Sequence, residues 1–163
     1  MEGVTIVRCA ADDWRAYREV RLAALTDAPH AFGSTLAREL SLTEAEWRAR
    51  LVRGATFMAM VADARAGTAT GIPGDHPEDA DLVGMWVDPR WRGRGVGVAL
   101  VEAVIDWAAK RGFRTVKLWV AVGNGAAEAL YRRCGFLRTG RTQPVRPHEP
   151  DRLELEMQLL LAR

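Results

Sequence analysis

The sequence predicts an α/β (α+β) domain, with helices packed around a mixed sheet. Three observations predict it. Strand-like and helix-like runs are interleaved in the order β-α-α-β-β-β-α-β-α-β-β. The fourth strand runs through a glycine-rich turn directly into a long helix, and the fifth is followed by a second helix. No repeat, low-complexity tract or linker divides the 163 residues. The chain therefore reads as one domain, 1–163, large enough to bury roughly two thirds of its unfolded surface.

Val4–Arg8 is a short β-branched strand. Asp12 or Asp13 caps a helix to about Leu25, with Tyr17, Val20, Leu22 and Leu25 apolar. Ala28–Ser34 breaks it, and the stretch to Leu42 carries no clear period. Thr43-Glu44-Ala45-Glu46 is a capping box, starting a helix to about Val52 with Trp47 and Leu51 on one side. Thr56–Ala62 and Gly67–Ile72 read as paired strands joined near Asp63-Ala64, and Pro73–Asp79 as a polar loop. From Leu82 to Val87 apolar residues fill both alternating series, which suits a strand buried on both faces. Asp88-Pro89 stops it, because proline has no N–H for the next rung. Val101, Val104, Ile105 and Ala108 then recur at helical spacing, and Lys110-Arg111-Gly112 closes that helix. Thr115–Val120 is a strand, and Asn124 caps a helix to about Cys134. Phe136–Gly140 is short and extended, Thr142–Pro150 holds three prolines and reads as a loop, and Leu153–Leu161 alternates as a strand buried on one side.

Hydrophobic residues make up 48% of the chain and charged residues 27%, ordinary for a globular protein. A net charge of +2, with arginines scattered along the chain, gives no footprint for nucleic acid. No apolar run approaches ~18 residues, so no membrane span is expected. Met1-Glu2-Gly3 opens without a basic and apolar leader pattern, which predicts a cytoplasmic protein. Cys9 and Cys134 lack metal-ligand spacing and read as reduced thiols, and no metal site is expected.

The chemistry begins at Arg92-Gly93-Arg94-Gly95-Val96-Gly97. Three glycines at every second position let the backbone approach a ligand without Cβ clashes. The N–H groups of a helix start lack intrahelical partners and carry roughly half a positive charge. Arg92 and Arg94 add full charges, so a phosphate or pyrophosphate is the natural occupant. A Walker loop needs Gly-Lys-Ser/Thr, but Val98-Ala99 follows Gly97. A Rossmann fingerprint needs a small residue where Val98 stands and an acid after the next strand, where Ala121-Val122-Gly123 stands.

Arg92-x-x-Gly95-x-Gly97 resembles the Gln/Arg-x-x-Gly-x-Gly/Ala signature of the GNAT superfamily of N-acyltransferases. Asn124-x-x-Ala127-x-x-Leu130-Tyr131-x-x-x-Gly135-Phe136 resembles the second signature of that superfamily, and it begins 32 residues after Arg92. The resemblance in element order covers the whole chain. It implies a mixed, mostly antiparallel sheet of six to seven strands, flanked by about four helices and splayed between the fourth and fifth strands. It also implies an acetyl-CoA-dependent N-acetyltransferase. In that reading the N–H groups from Arg92 to Gly97, with Val98, hold the pyrophosphate of acetyl-CoA. The edge Met85-Trp86-Val87 pairs with the pantetheine arm, and the Val87 N–H polarises the thioester carbonyl. Asn124 and Ala127 lie along the arm, although Asn124 reads equally as an ordinary helix cap.

Tyr131 matches the general acid of the family. A phenol near ~10 is a weak acid toward a thiolate near ~8.5, so its natural part is to donate a hydrogen bond to the departing sulfur. The competing reading of Tyr131 is a core residue with its hydroxyl at the surface. Asp81, eleven residues before Arg92, is the candidate base, or simply a charged strand start. Phe32, Glu39, Trp47 and Asp81 are candidate acceptor contacts, with His76, Asp79, Arg146 and His148 nearby in the implied fold. The acids of Asp75–Asp81 either form an ordinary solvated loop, the reading their setting favours, or attract a cationic amine acceptor. The expected reaction is direct attack of a small-molecule amine in a ternary complex. The alternatives are a protein or peptide N-acetyltransferase and a non-catalytic acyl-CoA sensor. Monomer and homodimer both remain open, the latter because Trp14, Trp91 and Trp107 read as partly exposed.

Overall fold

The computed structural model describes residues 3–162. Seven strands share one sheet in the order β1-β2-β3-β4-β5-β7-β6. They are β1 (Val4–Arg8), β2 (Ala55–Val61), β3 (Ala64–Pro73), β4 (Asp79–Val87), β5 (Thr115–Ala121), β6 (Leu137–Pro144) and β7 (Leu153–Leu160). Every neighbouring pair is antiparallel except β4 and β5. A parallel pair needs a crossover, and the helix Val96–Lys110 supplies it.

Five helices flank the sheet: α1 (Trp14–Asp27), α2 (Leu36–Leu40), α3 (Glu44–Arg53), α4 (Val96–Lys110) and α5 (Gly125–Arg133). That is one more than expected, and α2 is the addition. Its five residues are too few to show a helical period, but Thr35 caps it by accepting from the Arg38 N–H at 3.2 Å. The capping box at Thr43 and Glu46 forms as read. Thr142, Gln143 and Pro144 extend β6, where a loop was expected. This edge strand is almost wholly exposed, so no buried alternation marks it in the sequence.

Two cores lie on opposite faces of the sheet. On one, α4 and α5 bury Leu82, Leu100, Val104, Leu118 and Met157. On the other, α1 and α3 bury Tyr17, Leu25, Trp47, Met58 and Trp86. Leu82 and Trp86 thus lie on opposite faces although four residues separate them, where regular alternation would place them on the same face. The reason is a bulge: Thr68 pairs with Trp86 and Thr70 with Val83, so two residues of β4 oppose one of β3. Gly84 absorbs the extra residue at φ +62°, a left-handed conformation that favours glycine.

β4 and β5 pair only over Asp79–Asp81 and Thr115–Lys117. Beyond that point β5 follows β7 along its full length, and β4 diverges. The expectation that β4 is buried on both faces holds at Leu82 and Trp86, one on each face, but not at the exposed Val83. At Met85 and Val87 one edge of the strand is left open.

Candidate active site

A cavity of about 930 Å³ opens where β4 and β5 part. Leu82–Val87 forms one wall and Trp119–Ala121 with α5 the other, while Asp27 and Phe32 close the α1 side. The direction of the strand's backbone groups follows from one bond. The Asp88 N–H donates to the Ala66 carbonyl at 2.8 Å, toward β3. Successive backbone groups alternate, so the Val87 N–H points the other way, into the cavity.

The turn that ends in α4 meets the same cavity through Gly93, Gly95, Gly97 and Val98. Gly93 at φ +74° and Gly95 at φ +83° have open space where a Cβ would stand. Their backbone shape favours glycine, and that side of the turn is free for a ligand to approach. Gly97 has a different reason. A Cβ there would lie 2.9 Å from Leu130 Cδ2, so the missing side chain lets α5 pack against α4. The first intrahelical bond runs from the Ala99 N–H to the Gly95 carbonyl at 3.1 Å. The N–H groups of Val96, Gly97 and Val98 are therefore left without helical acceptors. The Val96 side chain is buried, and Val96 is not among the residues that line the cavity.

Arg92, expected to offer its charge to an anion, lines the cavity and also ties the fold together. Its Nη2 donates to Asp27 Oδ2 at 2.7 Å and its Nε to the Val87 carbonyl at 2.9 Å. The same Asp27 oxygen accepts from Trp86 Nε1 at 3.0 Å. Asp27, unmarked by any local signal, thus joins the end of α1 to β4 and to the start of the turn. Arg94 lies outside the cavity lining, with its guanidinium 5.2 Å from the Trp91 ring centre.

On the opposite wall Asn124 accepts from the Ala127 N–H at 3.2 Å, capping α5. Its Oδ1 is engaged there, and only its amide N–H₂ remains for a ligand. Ala127 and Tyr131 follow on the cavity face of the helix. The Tyr131 ring packs 6.1 Å from Phe136, centre to centre, and the residue is 6% exposed. Burial, with a contribution from Cys134, pushes its phenol well above the usual tyrosine range, so it remains a neutral donor.

Other expected site residues lie elsewhere. Asp81 pairs with Lys117 in the closed part of the sheet, one residue short of the cavity lining that starts at Leu82. Burial first, then Asp75 and Asp79, raise its carboxyl. The acidic loop is partly neutralised by its own surroundings, since Asp79 meets Lys117 at 3.0 Å and Glu78 lies 3.7 Å from Arg114. Trp47 is fully buried between α1 and α3 and offers no surface to an acceptor. Glu39 is also fully buried, held by Arg21 and Arg50. Of the aromatic and acidic acceptor candidates only Phe32 lines the cavity. Trp107, expected to be partly exposed, is buried in the α4 core, whereas Trp14 and Trp91 are partly exposed as expected, each with an arginine over its ring. Burial first, with Asp13, raises the Cys9 thiol to about 11, so it is unreactive.

The β6–β7 loop is fastened across the molecule. Arg146 Nη2 donates to the carbonyls of Pro29, Phe32 and Ser34 at 2.8, 3.1 and 3.2 Å. Among the described residues no cluster of His, Cys, Asp or Glu is placed to hold a metal, and no helix is long and apolar enough to cross a membrane.

Comparison with known proteins agrees with this geometry. Residues 14–136 match the acetyltransferase (GNAT) family. An aminoglycoside N(6')-acetyltransferase type 1 of Stenotrophomonas maltophilia is 32% identical over 158 residues, covering 90% of this chain and 95% of that protein. An uncharacterized N-acetyltransferase of Methanocaldococcus jannaschii is 49% identical over 59 residues, and the match spans 36% of this chain and only 26% of that protein. A Salmonella typhimurium protein solved with its cofactor acetyl-CoA shares the fold at a TM-score of 0.75 and 21% identity, covering 99% of this chain and 95% of that one. The split sheet, the glycine turn before α4 and the matched span together place this chain in the GNAT family of N-acetyltransferases.

Proposed function

We propose that the protein transfers the acetyl group of acetyl-CoA to a primary amine of a small molecule, by direct attack in a ternary complex. One observation carries this reading. The free edge of β4 and the open start of α4 border a single cavity, with Tyr131 on the facing wall. The residues fit the donor. Glycines with open space above them and three unpaired N–H groups suit a diphosphate, and an unpaired strand edge suits the amide-bearing arm. The donor supplies an acetyl group already activated as a thioester.

The residues of the chain do the rest. The Val87 N–H donates to the carbonyl oxygen on which charge develops as the amine adds. Tyr131, kept neutral by burial, donates a hydrogen bond to the sulfur as the C–S bond breaks. The raised Tyr131 phenol favours hydrogen bonding over full proton transfer. The proton shed by the amine leaves to solvent, and Asp81, just outside the cavity lining and with a raised carboxyl, takes part only through water.

The small-molecule acceptor is favoured by the Arg146 contacts. They fasten the β6–β7 loop to the α1–α2 loop, which suits an enclosed acceptor pocket better than an open peptide groove. CoA-thiol release over a panel of primary amines tests the proposal. Turnover of small amines is expected. Tight acetyl-CoA binding with no turnover would leave a sensor, and turnover of peptides alone would make the acceptor a protein.

A further inference from the structure

We infer that the acceptor is an amino acid whose carboxylate, close to the reacting amine, is received by Arg21. This deepens the acetyl-transfer reading above and rests on it. Arg21 projects from α1 and is 9% exposed. Its Nε and Nη2 grip Glu39 as a fork at 2.9 and 3.0 Å. Phe32, a cavity-lining residue, stacks 4.7 Å from the guanidinium carbon. Nη1 is the arm left with hydrogens to offer. It lies 3.7 Å from the position of a Cβ on Gly84, at the β4 bulge that forms the cavity wall.

The charge around Arg21 does not balance. Arg50 Nη1 also donates to Glu39, at 2.7 Å, so two guanidiniums share one carboxylate. The other carboxylate at this end of the cavity, Asp27, is engaged by Trp86 and Arg92. Arg21 stands just behind the lining, between Phe32 and Gly84, which both border the cavity, and a cationic arm there with its counter-ion already shared suits an anion. Further polar groups stand beside Gly84, behind the cavity lining. Thr70 Oγ1 lies 4.0 Å from the same point on Gly84 and 2.9 Å from Thr56 Oγ1.

Position limits the ligand. Gly84 is three residues from Val87 along β4, on the order of 10 Å at most, and the bulge shortens that path. An amine attacking an acyl group held at Val87 would bring a carboxylate one to three carbons away within reach of Nη1. A polycationic amine would meet like charge there. Glu39 is then a positioning residue: its fork fixes the guanidinium so that Nη1 faces Gly84.

The test compares acceptors in pairs, as kcat/KM for CoA-thiol release with acetyl-CoA as donor. The probes are the common amino acids with free carboxylates, their carboxamides, spermidine and an aminoglycoside. The preferred free acid should exceed its amide by about tenfold or more, the scale of a charge-assisted hydrogen bond. That ratio should fall toward one in the R21Q/E39Q double variant, which keeps a hydrogen-bonding pair in place of the ion pair. If the double variant does not fold, the ratio in the unmodified protein decides alone. Amides or polycations used as well as the free acids would overturn the inference, and so would an unchanged ratio in a folded double variant. If nothing is acetylated while acetyl-CoA still binds, the transfer reading has failed and this inference falls with it. If amines are acetylated without regard to their carboxylates, only the inference falls.

Discussion

Arg92 and Asp27 stand 65 positions apart in the chain and meet at 2.7 Å. The contact binds the end of α1 to the turn proposed to receive the donor, and Trp86 shares the same carboxylate oxygen. As a partly exposed ion pair it contributes on the order of 1 kcal/mol or less. Removing the acceptor of a buried indole N–H costs about 1–3 kcal/mol. Asp27→Ala should therefore destabilise the fold by about 1–3 kcal/mol and weaken acetyl-CoA binding, while Asp27→Asn, which keeps a carbonyl for Trp86, should lose less. Urea unfolding and acetyl-CoA titration of both variants measure the two effects.

Tyr131→Phe removes one hydroxyl and leaves the ring against Phe136. Turnover should fall about tenfold or more, with acetyl-CoA affinity nearly unchanged. Steady-state kinetics beside equilibrium titration separates the two, and unaltered turnover would take Tyr131 out of the mechanism.

Gly97→Val would push a side chain into Leu130, which already lies 2.9 Å from where a Cβ would stand. Overpacking of this kind costs about 1–3 kcal/mol. A companion Leu130→Ala change should restore part of the loss. Thermal unfolding of the single and double variants would show that coupling, and strict additivity would refute it.

Much of this site is written locally in the sequence. The left-handed glycines, the open helix start and the Asn124 cap each arise within a few residues, so the motif and its backbone can be read together. The capping box at Thr43 is legible for the same reason. Asp27, Arg21 and Arg146 are not, because their partners lie 65, 18 and more than 100 positions away. Glu39 and Trp47 show the other difficulty. A carboxylate and an indole suit a substrate pocket by type, yet here the first neutralises buried arginines and the second fills the α1–α3 core. Likewise, the sequence around Arg92 does not show that Asp27 will share its charge.

Glu39 also sets a pH dependence. Burial alone would raise its carboxyl, but hydrogen bonds and charge from Arg21, with Ser34 and Arg50, outweigh burial and lower it from 4.5 to about 2. A lowered folded-state value means that the unfolded chain takes up the proton first. The stabilisation from Glu39 is thus complete above about 4.5 and is lost as pH falls toward about 2. Urea midpoints should fall between pH 6 and pH 3 in the parent protein, and Glu39→Gln should flatten that slope. Equal slopes would show that other carboxylates govern the acid limb.

Arg146→Ala unfastens the β6–β7 loop from three carbonyls of the α1–α2 loop. Hydrogen exchange at residues 29–34 should accelerate, and KM for the amine should rise more than KM for acetyl-CoA. A uniform loss in both constants would point to general destabilisation instead.

The central claim is that backbone N–H groups at the start of α4 hold the diphosphate of the donor. Gly95 tests it cleanly, because its side-chain position faces open space and Asn and Asp both tolerate its φ of +83°. Titration of acetyl-CoA into Gly95→Asn and Gly95→Asp separates charge from backbone strain. The account predicts that the aspartate variant binds about tenfold or more weakly than the asparagine variant, the cost of a like charge beside the phosphates. Equal affinities in the two folded variants would contradict it.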